Sequence, residues 1–387
     1  MRGRILFVLA VVAFLFPTTL NGIVTNTYLL IFATLLEIVF ISLILFGKLK
    51  INKIQGMYSL AILLILLIAT LFTPLSGIKF GSFMYYLSYI TISSIDFKNS
   101  EYSKTNNINA YRFFSILVIL LGLCMILNIP IINNIEYKFY GAYYQELIPL
   151  MQMGSKPVLT FSTHSVSGFA MFLFFCMSFF TYKKFHMKID LFLSFGFCFL
   201  IVNLKSFTAI MYFVIAIGMI FTLLSRKTVI RICVFIGLVI IYMLIFQKSA
   251  VNEMSAMIHY ILFEKQNNGL TGRYAKGGAM TKNLSFIKDN LFRPVGFGFD
   301  DRLSFVDSGI IEYLLRGSIL LVISMYLGFF TFLKNNIDSK LILIILFSAF
   351  ITFETGFAVL ILTKIIFFIP FMITYFEYLS NTNKKLE

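Results

Sequence analysis

The sequence predicts an all-α fold: a polytopic integral membrane helix bundle of about 12 transmembrane helices, with a large structured external loop between spans 9 and 10. Three observations predict it. Hydrophobic residues make up 59% of the 387, with a mean hydropathy of +0.91, more apolar surface than a soluble domain needs. Apolar runs of roughly 17 to 25 residues, enough to cross a bilayer, recur along the whole length. Basic residues gather in alternate polar gaps between those runs. Backbone facing lipid must bond internally, so the spans are helices. The alternating short strands of a membrane barrel are absent.

Arg2 and Arg4 precede an apolar run from Ile5 to Phe16. Pro17 to Asn21 is a poor cleavage site, so this run reads as an uncleaved first span. The second span covers Tyr28 to Phe46, with Glu37 in its middle, and the basic loop Gly47 to Lys53 follows. Met57 to Leu75 is the third span. The fourth, Phe80 to Phe97, is rich in Tyr and Ser, and the fifth is Phe113 to Ile132. A Tyr-rich extramembrane segment, 133–165, leads to spans six (Val166 to Tyr182), seven (Leu191 to Leu204), eight (Phe207 to Leu224) and nine (Ile232 to Phe246). The large loop, 247–316, comes next. Span ten runs from Gly309 to Leu333, span eleven from Leu341 to Phe353, and span twelve from Phe357 to Tyr378. The chain reads as a single transmembrane domain, 1–387, without internal repeats.

Charge supplies an orientation. With both termini inside, the cytoplasmic gaps hold Lys48, Lys50, Lys53, Lys98, Lys104, Arg112, Lys183, Lys184, Lys188, Arg226, Lys227, Arg231, Lys334 and Lys340. The tails add Arg2, Arg4, Lys384 and Lys385, making 18 of the 32 basic residues. Outside the large loop, the opposite face keeps only Lys79, Lys138, Lys156, Lys205 and Lys364. That asymmetry follows the positive-inside rule and puts both long loops outside. A net charge of +15 spread over short gaps forms no stripe, which argues against nucleic acid as a partner. Cys124, Cys176, Cys198 and Cys233 all lie in apolar runs and read as small buried hydrophobes.

The large loop has its own organisation. Met254, Met257, Ile258, Ile261 and Leu262 recur at helical spacing, as do Met280, Leu284, Ile287 and Leu291. They predict two short interfacial helices. Pro294 to Phe299 is a Gly-rich tight turn. Only 9 of the basic residues are Arg, and on the external face every Arg lies between 273 and 316. A planar guanidinium grips phosphate bidentately, so Arg273, Arg293, Arg302 and Arg316 are candidate anion-binding residues. Local pairing is the alternative: Glu312 with Arg316 at i,i+4, and Asp300 or Asp301 with Arg302. Arg273 has no acid close in sequence. Glu37, Glu354 and Lys364 sit within apolar runs, where ionisable groups are costly, and are expected to line a polar cavity or pair with one another. Glu354 lies near a span end, where simple solvation would also account for it. No metal site is indicated.

Leu270-Thr271-Gly272-Arg273, then Asn290 to Gly298, then Asp307 and a helix opening Leu314-Leu315-Arg316-Gly317 resemble the O-antigen repeat-unit polymerases of the Wzy type, relatives of the O-antigen ligases. Ser162-Thr163-His164-Ser165 and Ser206-Phe207-Thr208 are similar to further recurrent segments of that family. The resemblance extends over most of the chain as architecture, while each motif is short. Many relatives carry a His late in the large loop. Asp307-Ser308 stands there in this chain, which leaves the catalytic base open.

The resemblance implies a metal-independent, cofactor-free glycosyltransferase of the bacterial inner membrane, joining undecaprenyl-pyrophosphate-linked repeat units at its outer face. Besides these lipid-linked glycans, it implies membrane lipids and a chain-length regulator protein as partners. Cations that stabilise the leaving pyrophosphate would be Arg273 with Arg293, Arg302, Arg316 or Lys205. Groups that orient or deprotonate the acceptor hydroxyl would be Asp307, His164 or Glu146. His164 at a span entrance has a structural reading too, and Asp307 fits equally as a helix N-cap. The alternatives are an O-antigen ligase, with the same chemistry on another acceptor, and a lipid-linked oligosaccharide flippase. A flippase is expected to have two similar halves and short loops, and neither is seen.

Overall fold

The computed structural model describes residues 4–19, 26–72, 80–141, 158–204, 206–221, 281, 285, 288, 294–298 and 308–381. These are almost entirely helical. In chain order the helices are α1 (Ile5–Leu15), α2 (Asn26–Leu45), α3 (Lys53–Phe72), α4 (Phe80–Ser94), α5 (Ile108–Ile126), α6 (Pro130–Tyr140) and α7 (His164–Phe185). They continue with α8 (Lys188–Asn203), α9 (Phe207–Phe221), α10 (Gly309–Asn336), α11 (Lys340–Glu354), α12 (Thr363–Ile366) and α13 (Ile369–Asn381). Five of them are long and apolar enough to cross a membrane, and α1 and Thr208–Ile220 of α9 are shorter apolar helices. Leu35, Ile38, Leu64, Ile68, Phe192 and Phe195 are among many large apolar side chains left exposed on the outside of the bundle. A soluble protein does not present such a belt. Spans are therefore expected where these helices lie. The expected ninth span, 232–246, and most of the large loop lie outside the described residues.

The bundle is built around α7. It is apolar on every side and buried along nearly its whole length, as a helix wrapped by others must be. Thr163 caps its start by accepting the Val166 N–H at 3.3 Å. His186, left-handed at φ 53°, ends it. Around α7 pack α8, α9 and α13, and small residues bring some of these helices close. Gly168 leaves room for Ala209, and Gly122 and Gly196 let α5 and α8 interlock through Leu200 and Ile119. A second group, α2, α3, α4 and α10, packs beside this core.

At one end of the molecule, polar contacts join the short gaps. Lys50–Ile51 pairs antiparallel with Ile95–Asp96. Lys98 pairs with Asp338, and Asn336 accepts the Phe97 N–H at 2.7 Å. Arg112 grips Asp190 with two bonds, 2.8 and 2.6 Å.

Three elements differ from expectation. The fifth span begins earlier and stops at Ile126, because Asn128 turns left-handed (φ 56°) and Pro130 starts a new helix, α6. The expected twelfth span is not one helix. Val359–Ile361 is a 3₁₀ turn, Leu362 is extended, and α12 and α13 follow. The Leu360 N–H is taken by the Glu354 carboxylate at 2.7 Å instead of continuing a helical ladder. The expected tenth span is broken. Gly317 (φ −146°, ψ 20°) and Ser318 (φ 62°, ψ −167°) split α10 into Gly309–Arg316 and a longer half after them.

Candidate functional site

The break in α10 organises the opposite end of the molecule. A break strips the preceding carbonyls of their i+4 donors, and buried carbonyls must find others. The Pro294–Gly298 turn supplies them. Val295 donates to the Leu315 carbonyl at 2.9 Å and Gly296 to the Arg316 carbonyl at 2.8 Å. Arg316 returns the contact: its Nη1 donates to the carbonyls of Gly296 (3.1 Å) and Gly298 (2.6 Å), while its Nε donates to Glu312 at 2.9 Å. The side chain is buried.

The turn is also seated on α3 and α4. Phe297 donates its N–H to the Thr70 hydroxyl at 2.8 Å, and its ring packs edge-on to Phe83 and Tyr86. Gly296 has φ +55°, and a Cβ there would collide with the Thr70 amide and the Leu66 carbonyl. Only glycine permits this seat. The expected tight turn is thus the fixed foot of the large loop.

From Phe297 an aromatic path leads inward through Tyr86 to Tyr313. Tyr313 donates to Oε1 of Glu354 at 3.0 Å, the same oxygen that accepts Leu360 N–H. Glu354 is fully buried, so solvation does not account for it. Its Oε2 fills the space where a Cβ at Gly309 would be. One carboxylate therefore ties together the start of α10, the end of α11 and the 3₁₀ turn.

Four residues beyond Leu360, the Lys364 ammonium donates to the carbonyls of Phe14 (3.3 Å) and Thr160. It lies over the rings of Tyr140 (4.9 Å) and Phe161 (5.7 Å). Phe14 lies in the last turn of α1, where carbonyls lack helical donors. Among the described residues Glu37, Glu354 and Lys364 do not pair with one another. Glu37 accepts from Thr91 instead.

Lys364 holds the 158–163 turn from one side. Glu136 of α6 holds it from another, accepting the Val158 N–H at 2.7 Å. Ser162 donates to the Tyr140 carbonyl, and its hydroxyl meets that of Thr18 at 2.7 Å. Leu159 (φ 50°) and Ser162 (φ 62°) are both left-handed without being glycine, a local strain that the surrounding bonds sustain. His164 is the next helical residue, half-buried at the start of α7. Glu136 is outside the expected spans. Burial pushes its carboxyl up to about 7, against the bonds from the Val158 and Leu159 amides that favour the charged form.

Of the expected site residues, the structure thus describes two. His164 sits on a braced turn at a helix start. Arg316 is engaged with Glu312 and the Gly-rich turn through Nε and Nη1, so a pyrophosphate could use it without displacing those bonds only at Nη2. Arg273, Arg293, Arg302, Asp307, Lys205 and Glu146 lie outside the described residues. Arg293 directly precedes the foot of the loop in sequence, and Asp307 directly precedes the Ser308 N-cap of α10. Glu136, Thr70, Tyr86 and Tyr313 carried no signal in the sequence, where an acid in a Tyr- and Asn-rich segment reads as a surface group. Among the described residues, no group of three or more His, Cys, Asp or Glu gathers to hold a metal ion. In comparisons with known proteins, no family model, no curated protein and no solved structure matches the chain.

Proposed function

We propose that this chain is a multi-pass glycosyltransferase that polymerises undecaprenyl-pyrophosphate-linked oligosaccharide units at the outer face of a bacterial inner membrane. Twelve spans with both termini cytoplasmic complete the reading. The observation that carries it is the anchored foot of the large loop. The turn that follows Arg273 and Arg293 in the chain, and precedes Arg302, is pinned into a broken helix, which fixes the place where this arginine-bearing loop meets the bundle. A second braced turn, bearing His164, belongs to the same end of the molecule.

The chemistry is a displacement. The acceptor sugar hydroxyl forms a bond from its oxygen to the donor's anomeric carbon. The bond from that carbon to the lipid pyrophosphate breaks, and its electron pair leaves with the phosphate oxygen. Guanidinium groups stabilise that charge. The hydroxyl proton passes to a base, for which His164 and Asp307 are the candidates beside Glu146.

A deletion strain tests the reading, with its surface glycan separated on a gel. If the missing protein is the polymerase, the ladder collapses to core plus one repeat. Bare core with polymer stranded on the carrier indicates a ligase, and bare core with single repeats held inside indicates a flippase. Complementation with Arg273→Ala is expected to restore no polymer at normal expression, and Arg273→Lys to restore little. Full polymer from the Ala variant removes Arg273 from the site.

A further inference from the structure

A groove of about 450 Å³ opens on the outside of the bundle between α2, α3 and α4, far from the loop foot. Ile41, Leu45, Ile51, Leu60, Leu63 and Ile90 form its walls, and Gly56 keeps one side low. Ile41, Leu45, Ile51 and Leu60 are exposed, so the groove faces the surroundings of the bundle rather than its core.

Three hydroxyl residues lie along it, yet each is satisfied inside the protein. Ser59 donates to the Ile90 carbonyl at 3.1 Å, Thr91 donates to the Glu37 carboxylate, and Ser94 donates to the Thr91 carbonyl at 2.8 Å. What the groove offers an occupant is hydrocarbon. A polar ligand would find no donor there, whereas an alkyl chain loses nothing.

The groove ends beside the short loop from α2 to α3. That loop presents Lys48, Lys50 and Lys53, all exposed, and among the described residues none of them makes an ion pair. Asp96 stands opposite Lys50 in the strand pair and offsets part of that charge, leaving a net positive rim. An apolar slot with a basic rim matches an alkyl chain joined to an anionic head. Near a membrane surface such lysines attract anionic lipid.

We propose that this groove is a binding site for an anionic phospholipid, one acyl chain lying along α2, α3 and α4 and the phosphate head held by Lys48, Lys50 and Lys53. The site is separate from the transferase reading and stands whether or not that reading holds.

The test uses the full chain purified in detergent, with added phosphatidylglycerol or phosphatidylcholine. Native mass spectrometry counts retained lipid, and thermal unfolding reports stabilisation. Phosphatidylglycerol is expected to be retained at least several-fold more than phosphatidylcholine and to raise Tm further. Changing Lys48, Lys50 and Lys53 together to Gln should bring the two lipids level. Gly56→Leu should reduce retention of phosphatidylglycerol by occupying the slot. A Cβ at Gly56 meets only Ile51, at 3.4 Å, and leucine favours helix over glycine, so this variant is expected to fold. Equal retention of both lipids by the wild type overturns the proposal, as does a preference that survives in both variants. A change of oligomeric state in Gly56→Leu without a change in lipid retention assigns the groove to a second copy instead, and overturns it too.

Discussion

At the scale of single residues, buried charge does most of the positioning. Glu354, Lys364, Glu136 and Arg316 are each nearly or wholly enclosed, and each bonds to backbone groups that regular helix leaves open. A lone buried charge is costly, and backbone dipoles at helix ends and turns are what offset it here. Glu136 gives this a pH signature. Its carboxyl is raised from 4.5 to about 7 in the folded chain. Between those values the folded protein keeps a proton that the unfolded chain has released. The contribution of this group to stability therefore falls as pH rises through that window and is level above it. Glu136→Gln should flatten that slope while its amide oxygen still accepts from Val158. Tm measured from pH 4.5 to 8 for both proteins checks it, and identical slopes would remove Glu136 from the account. That Glu354 and Lys364 stand within apolar runs was legible in the sequence, but the backbone groups they bond to were not. Apolar runs announce a span, but whether Glu354 near a run's end meets water or Tyr313 depends on neighbours 41 residues away in sequence.

At the scale of elements, the broken α10 is the decisive piece. The i,i+4 spacing of Glu312 and Arg316 announced their pairing, and the glycines at 296 and 298 announced a turn. That the turn would cap the carbonyls of Leu315 and Arg316 was not announced, because no local pattern records which buried group a freed carbonyl will meet. Two substitutions at the break should move stability in opposite directions. Ser318 occupies a conformation that suits glycine, so Ser318→Gly should stabilise by about 1 kcal/mol. Arg316→Lys keeps the charge but not the fork, and should cost on the order of 3 kcal/mol. Thermal unfolding in detergent measures both. A neutral Arg316→Lys would mean that the turn is held by its backbone bonds and Phe297 alone.

At the scale of the whole molecule, hydrophobic patterning carried the helices, since bilayer-length apolar runs have few other outcomes. It placed α1 to α4, α7 to α9 and α11 to within a few residues, set α5 five or six residues too far along the chain, and missed both the break in α10 and the interruption between α11 and α13. There a buried carboxylate, not composition, ends the ladder. The contacts also sort into two ends. Lys98, Asp338, Arg112, Asp190 and the small strand pair lie together, and so do Lys364, Thr160, Ser162 and Thr18. If both termini are cytoplasmic, cysteines introduced as Asn99→Cys and Lys340→Cys in a chain freed of its own four should resist an impermeant maleimide in intact cells. Lys138→Cys should react. Labelling of all three from outside would defeat the orientation drawn from the lysine and arginine distribution.

The foot of the large loop bears on how the protein is made. Its two strands of contact, 295–298 and 315–316, are about twenty residues apart, and their seats on Thr70 and Tyr86 are synthesised long before them. Synthesis runs from the N-terminus at roughly 5 to 20 residues per second, so this joint can close seconds before the last helices exist. Glu354 and Lys364 come afterwards and lock the braced turns from behind. A nascent chain stopped shortly after Asn336 would carry a closed loop foot on an unfinished bundle, and the final fifty residues would act as the bolt rather than the frame.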